Sequence, residues 1–180
     1  MQKVHISQVG CDAQTGKAVI LLNEPEGTRV LPIWIGLAEA KAITLALQEI
    51  QTSRPLTHEL LFNVITQTQH AIEKVEIYEL KDNAFIARII LRKVTEETKP
   101  QEQFEPVSAS SEHTTLAIDA RPSDAIAVAI MASAPIYVAG EVLEQAAIPA
   151  SSIQKDEQED TEFKSFVQDL KASDFKLPGH

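Results

Sequence analysis

Cysteine occurs once in this chain of 180 residues, tryptophan once and methionine twice. The lone Cys11 excludes a disulfide within the chain and any metal site built from several thiolates. It fits a reducing compartment, the cytoplasm. No apolar run approaches the ~18 residues that span a bilayer, so no membrane segment is expected. The opening Met-Gln-Lys-Val-His-Ile enters a strand-like alternation at once, without the apolar stretch of a signal peptide. A basic stripe, the usual footprint of a general nucleic-acid binder, is missing too. The formal net charge is −10. Residues 93–113 carry 2 basic and 5 acidic side chains, and residues 151–180 carry 4 and 7, so most of the excess acid lies in two segments. There is no Walker A loop, dinucleotide fingerprint, nucleophile elbow or zinc pattern. These absences weigh against tight nonspecific binding to nucleic acid, although a small catalytic pocket needs no basic stripe.

What is present is a segment that occurs twice. Leu-Pro-Ile-Trp-Ile-Gly-Leu-Ala-Glu-Ala-Lys-Ala-Ile over residues 31–43 is echoed by Leu-Ala-Ile-Asp-Ala-Arg-Pro-Ser-Asp-Ala-Ile-Ala-Val over 116–128, at an offset of 85 and without a gap. Each copy reads as a short apolar strand, a tight break, an acid (Glu39 or Asp124) and an Ala-rich helix. The acid falls at a helix start both times, where the macrodipole favours negative charge. Strand-to-helix junctions are also where folds commonly place ligand groups. The echo predicts an internal pseudo-duplication.

Around it, alternation predicts strands over 3–10, 17–22, 29–35, 74–80, 84–92, 114–120 and 134–138. Several are joined as hairpins, one through Lys81-Asp-Asn. Helices are predicted over about 38–50, from Thr57 as N-cap with a buried stripe of Leu60, Leu61, Val64 and Ile65, over about 122–131, and over 141–147. For the third, either Ser123 caps or Pro122 takes the first helical position. Hydrophobic residues make up 44%, enough for one domain's core. Hairpins interleaved with helices predict an α+β fold: a mixed or antiparallel sheet with helices packed on it. The domain is assigned to residues 1–148, with a polar loop over 94–113. A charged linker follows over 149–161. Phe163, Phe166, Val167 and Leu170 then mark an amphipathic helix in a tail over 162–177.

Three clusters could carry chemistry. In Arg-Pro-Leu-Thr-His-Glu over 54–59, His58 can act as a general base, Glu59 can orient water and Arg54 can hold phosphate. The same residues also make an ordinary helix start. In Asp-Ala-Arg-Pro-Ser-Asp over 119–124, Asp119 and Asp124 flank Arg121 at a strand end, a position suited to metal ligands in phosphodiester hydrolysis. A salt-bridged corner explains them equally well. Trp34, between Ile33 and Ile35, is expected in the core or at a subunit interface in preference to substrate stacking. Glu39 matches Asp124 through the echo. His5, His70, His113 and His180 show no ligand spacing.

The runs over 30–36, 54–60, 119–127 and 135–138, in that order and spacing, resemble the bifunctional nuclease domain family. The tail resembles that of bacterial members. The resemblance implies a mixed sheet with helices, assembly as a homo-oligomer (at least a dimer) and a nuclease acting on DNA and RNA. Residues 94–113 are longer than the family's usual link, and the added acid there would repel a polyanion. With site residues taken from the charge clusters, the expectation is a metal-assisted phosphodiesterase. Asp119 and Asp124 would hold Mg²⁺ or Mn²⁺, with Glu39 as an outlying ligand. His58 would be base or acid, Glu59 an accessory carboxylate, and Arg54 and Arg121 the phosphate clamps. The alternative is a non-enzymatic oligomeric scaffold or regulator, or a module binding a small, nucleotide-like anion.

Overall fold

The computed structural model describes residues 1–12, 17–94 and 115–152. Apart from Val94, the loop expected over 94–113 lies outside the described residues, as do the linker beyond Ser152 and the tail helix. The elements in chain order are β1 (Gln2–Asp12), β2 (Lys17–Asn23), β3 (Arg29–Ile35), α1 (Leu37–Leu47), α2 (Thr57–Gln67), β4 (His70–Lys81), β5 (Ala84–Lys93), β6 (Thr115–Ala120), α3 (Pro122–Met131), β7 (Ile136–Val138), α4 (Gly140–Ala146) and β8 (Ile148–Pro149). A 3-10 turn over Ala150–Ser152 follows.

The strands form one sheet of eight in the order β6-β5-β4-β7-β1-β2-β3-β8. Pairing is antiparallel except between β4 and β7. This is the hairpin-built α+β architecture that the alternation predicts. Outward from β7 the order runs β1-β2-β3 on one side and β4-β5-β6 on the other. Helix α1 follows β3, and α3 follows β6. The β4–β5 reversal uses Asp82 and Asn83, both at positive φ (50° and 60°), the turn geometry that matches strand twist.

Helix α3 packs against α1, α2, β4 and β5. Its Ala125, Ile126, Ala127, Val128 and Ala129 are fully buried. A helix covered on nearly every side must be apolar all round, and small residues let its neighbours approach. The Ala-rich composition of the echoed segment thus has a packing cause. Pro122 takes the first helical position and Arg121 is the N-cap. Within α1 the hydroxyl of Thr44 is buried without a hydrogen-bond partner. Thr44→Val should therefore raise the melting temperature by about 2–4 °C, the equivalent of roughly 1 kcal/mol. Calorimetry checks this.

Helix α2 departs from expectation. Leu56 is its N-cap and Thr57 its first residue. Leu60 and Val64 are 56% and 50% exposed, and Leu61 is exposed as well. The helix rests on the core through Ile65 and Phe62. Apolar spacing identified a helix here, but several rotations about its axis satisfy that spacing, and packing against α3 and β4 selected this one. Among the described residues, no helix is long and apolar enough to cross a membrane.

Candidate active site

Three helices each place an acid at their third position, counting from the N-cap. These are Glu39 in α1, Glu59 in α2 and Asp124 in α3. The exposed backbone N–H groups of a first turn favour negative charge there. The three carboxylates then part ways. Glu59 turns back on its own helix, where its Oε2 accepts hydrogen bonds from the Leu56 backbone N–H (2.8 Å) and the Thr52 hydroxyl (3.0 Å). It is a helix cap. Glu39 and Asp124 are instead joined through Arg121.

Because α1 and α3 pack side by side, the two echoed junctions meet. Arg121 Nε donates to Asp124 Oδ2 (2.7 Å) and Nη2 to Oδ1 (2.9 Å). Its Nη1 lies 3.0 Å from Glu39 Oε1. Gly36, the position matching Arg121 in the other copy, sits under the Glu39 carboxylate, and a Cβ there would collide with it. From α2, His58 Nε2 reaches Asp124 Oδ1 at 3.0 Å. Glu39, Arg121, Asp124 and His58 thus form one continuous chain of polar contacts drawn from three helix starts.

Arg121 holds the Asp124 carboxyl below the usual carboxylate range; burial opposes this, and the hydrogen bond from His58 adds to it. The Arg121 guanidinium is in turn pushed up, first by Asp124 and then by Glu39. A carboxylate only accepts, so the His58 Nε2 facing it carries a proton, and in the neutral ring Nδ1 is then the acceptor. Arg121 has five N–H donors. Its three contacts with Asp124 and Glu39 leave two for a ligand, and its side chain is 66% exposed.

Asp124 ionises more readily folded than unfolded. Its stabilisation is therefore present above the unfolded value of about 4 and is lost as pH falls through the depressed folded value. Glu76, on β4, acts in the same sense. Burial raises its carboxyl, but hydrogen bonds from Lys74 and Arg88 outweigh burial and lower it. In thermal melts taken down to pH 2, wild type should lose stability below about pH 4 more steeply than Asp124→Asn. Parallel curves would contradict the assignment.

Two clefts border the chain of contacts. One, of about 720 Å³, is lined by His58, Glu59, Leu45, Leu56, Phe62 and Met131 among others. The other, of about 800 Å³, is lined by Glu39, Arg121, Lys17, Trp34, Asn83 and Phe85 among others. Asp124 bridges the residues of the two.

Asp119 and Arg54 stay outside this cluster. Asp119 lies opposite Arg88 in the β5–β6 register, while its neighbour Ala120 lies opposite the buried Ala87. Paired residues share a face, so Asp119 shares the face of Arg88, whose guanidinium is bonded to Glu76 (2.7 Å). Asp119 and Asp124 therefore do not converge. Arg54 is exposed and makes no side-chain ion pair with another described residue. Glu39, which the clusters left at the margin, is central, and the echo at offset 85 was the signal for it. Trp34 is 62% exposed and does not pack in the core.

The family model of the bifunctional nuclease domain matches residues 20–151, a span that holds all four members of the cluster. The chain belongs to that family. An uncharacterized protein of Mycobacterium tuberculosis is 31% identical over 185 residues, covering 98% of this chain and 99% of that protein. Bifunctional nuclease 1 of Oryza sativa subsp. japonica is 25% identical over 127 residues, which cover 71% of this chain and 34% of the rice protein. Bifunctional nuclease 2 of the same plant is 24% identical over 121 residues, covering 67% and 33%. The domain shared with the rice proteins is thus about a third of their length.

Proposed function

We propose that this protein hydrolyses phosphodiester bonds of DNA and RNA at the Glu39–Arg121–Asp124–His58 cluster. Membership of a nuclease family and the names of the rice relatives support the reaction class. The observation that carries the site is that His58 and Arg121 meet on a single oxygen, Asp124 Oδ1, at 3.0 and 2.9 Å. A base lining one cleft and a phosphate clamp lining the other thereby share one carboxylate, and the scissile phosphate would lie where the two clefts adjoin at Asp124. Water at His58 Nδ1 gives up a proton to that nitrogen as its oxygen attacks phosphorus. The bond from phosphorus to the leaving nucleoside oxygen breaks, and that oxygen takes a proton from solvent. Asp124 stabilises the imidazolium that forms, and the two unspent N–H groups of Arg121 would donate to the phosphoryl oxygens as charge grows on them. Because the nucleophile is water, DNA and RNA are equivalent substrates.

A divalent cation held by Asp119 and Asp124 does not fit this donor set. Asp119 shares the sheet face of Arg88, and both Asp124 oxygens are engaged by Arg121. Among the described residues, no three His, Cys, Asp or Glu side chains are grouped to hold a metal. Asp119→Asn should therefore leave cleavage within about threefold of wild type, since it changes an exposed side chain away from the cluster. The experiment is cleavage of single-stranded DNA, duplex DNA and RNA by purified protein at low salt, with Mg²⁺, Mn²⁺ or EDTA. No cleavage in any arm overturns the reading. Loss of cleavage in Asp119→Asn overturns the site.

We place the protein in the cytoplasm on its single cysteine, and as a homo-oligomer, at least a dimer, with the exposed Leu60, Leu61 and Val64 face as an available contact. One observation favours the rival, a non-enzymatic module. Arg121 is clasped by two carboxylates, which is also how a purely structural corner is built.

A further inference from the structure

Trp34 is the one tryptophan of the chain, and it lies on the sheet face opposite the core. In the β2–β3 register it faces Val19, while the buried Ile33 faces the buried Ile20. An indole left 62% exposed forgoes much of the benefit of burial. It stands in the wall of the cleft of about 800 Å³, together with Phe85, the exposed Lys17, Asn83 and Arg121. The cleft therefore offers an aromatic plane, a cation at Lys17, an amide at Asn83 and the free N–H groups of Arg121. Its volume is in the range that holds a small organic ligand, about 300–1,000 Å³. The one carboxylate among its described lining residues, Glu39, is paired with Arg121.

We infer that this cleft binds one nucleotide of a single strand, with its base stacked on Trp34 and its phosphate between Lys17 and Arg121. The inference rests on the reading of the cluster as a phosphodiesterase and names its substrate class. A base in a duplex is already stacked and paired, so only an unpaired base can lie on the indole. The cleft thus selects single-stranded DNA or RNA over duplex and accepts any base, since every base has a π-face.

The test uses the intact protein, whose tryptophan fluorescence comes from Trp34 alone. Titration with a ten-residue oligothymidylate at low salt should quench the emission saturably, and a duplex of equal length should quench it at least tenfold more weakly. Trp34→Ala should raise KM for the single strand by about 5- to 150-fold, the loss of one base–aromatic stack, with kcat changed far less. Trp34→Phe should recover most of that loss. Cleavage of the oligonucleotide without any change in emission overturns the stacking inference and leaves the phosphodiesterase standing. Quenching without cleavage supports the stacking site and removes the phosphodiesterase. Emission that shifts with protein concentration, and not with oligonucleotide, assigns the cleft to a second copy of the chain and overturns the inference.

Discussion

His58→Ala should reduce the rate of phosphodiester cleavage by about 10²- to 10⁴-fold, the usual contribution of a positioned general base. The Asp124 carboxylate fixes the imidazole through Nε2 at 3.0 Å, so that in the neutral ring Nδ1 is the acceptor. The histidine side chain is only 13% exposed, so the ring is held by its surroundings. Truncation to Ala removes the base and leaves Asp124 bonded to Arg121, so the fold should survive. Melting within a few degrees of wild type, measured beside the rate, separates lost chemistry from lost structure. Added imidazole should restore part of the rate in the variant and none in wild type. A variant as active as wild type would remove His58 from the reaction.

Arg121→Lys should lower kcat/KM by roughly 10²-fold or more, as expected when a donor to the developing oxyanion is lost. A lysine keeps the charge but offers one nitrogen in place of a planar fork. It cannot pair with both Asp124 oxygens, reach Glu39 and still hold two N–H groups free. The same substitution should cost little stability, about 0–1 kcal/mol, because the guanidinium is largely exposed. Michaelis–Menten kinetics beside a thermal melt checks both halves. A lysine variant with full activity would mean that only a local positive charge is needed at this corner.

Alternation and turn chemistry located the hairpins, and Pro122 marked the start of α3, because these signals are local. The echo placed Glu39 and Asp124 at matching helix starts, and those two carboxylates are the ones that Arg121 joins. Asp119 groups with Asp124 only by closeness in sequence. Along a strand, however, a step of one residue reverses the face, and Asp119 turns away while Ala120 turns in. Glu59 has the residue type of a catalytic carboxylate but is spent on capping α2, which only the fold of the 52–59 loop reveals. The exposure of Leu60, Val64 and Trp34 was likewise hidden, since apolar character does not show which side of a helix or strand meets the core.

If the cluster assembled from three helix starts carries the hydrolysis, one cleavage assay shows it: wild type, His58→Ala and Asp119→Asn, purified identically and shown to melt alike, acting on one end-labelled single strand. Wild type and Asp119→Asn should cleave at rates within about threefold of each other, with His58→Ala slower by about 10²-fold or more. Cleavage lost in Asp119→Asn and kept in His58→Ala, or absent from all three, would contradict it.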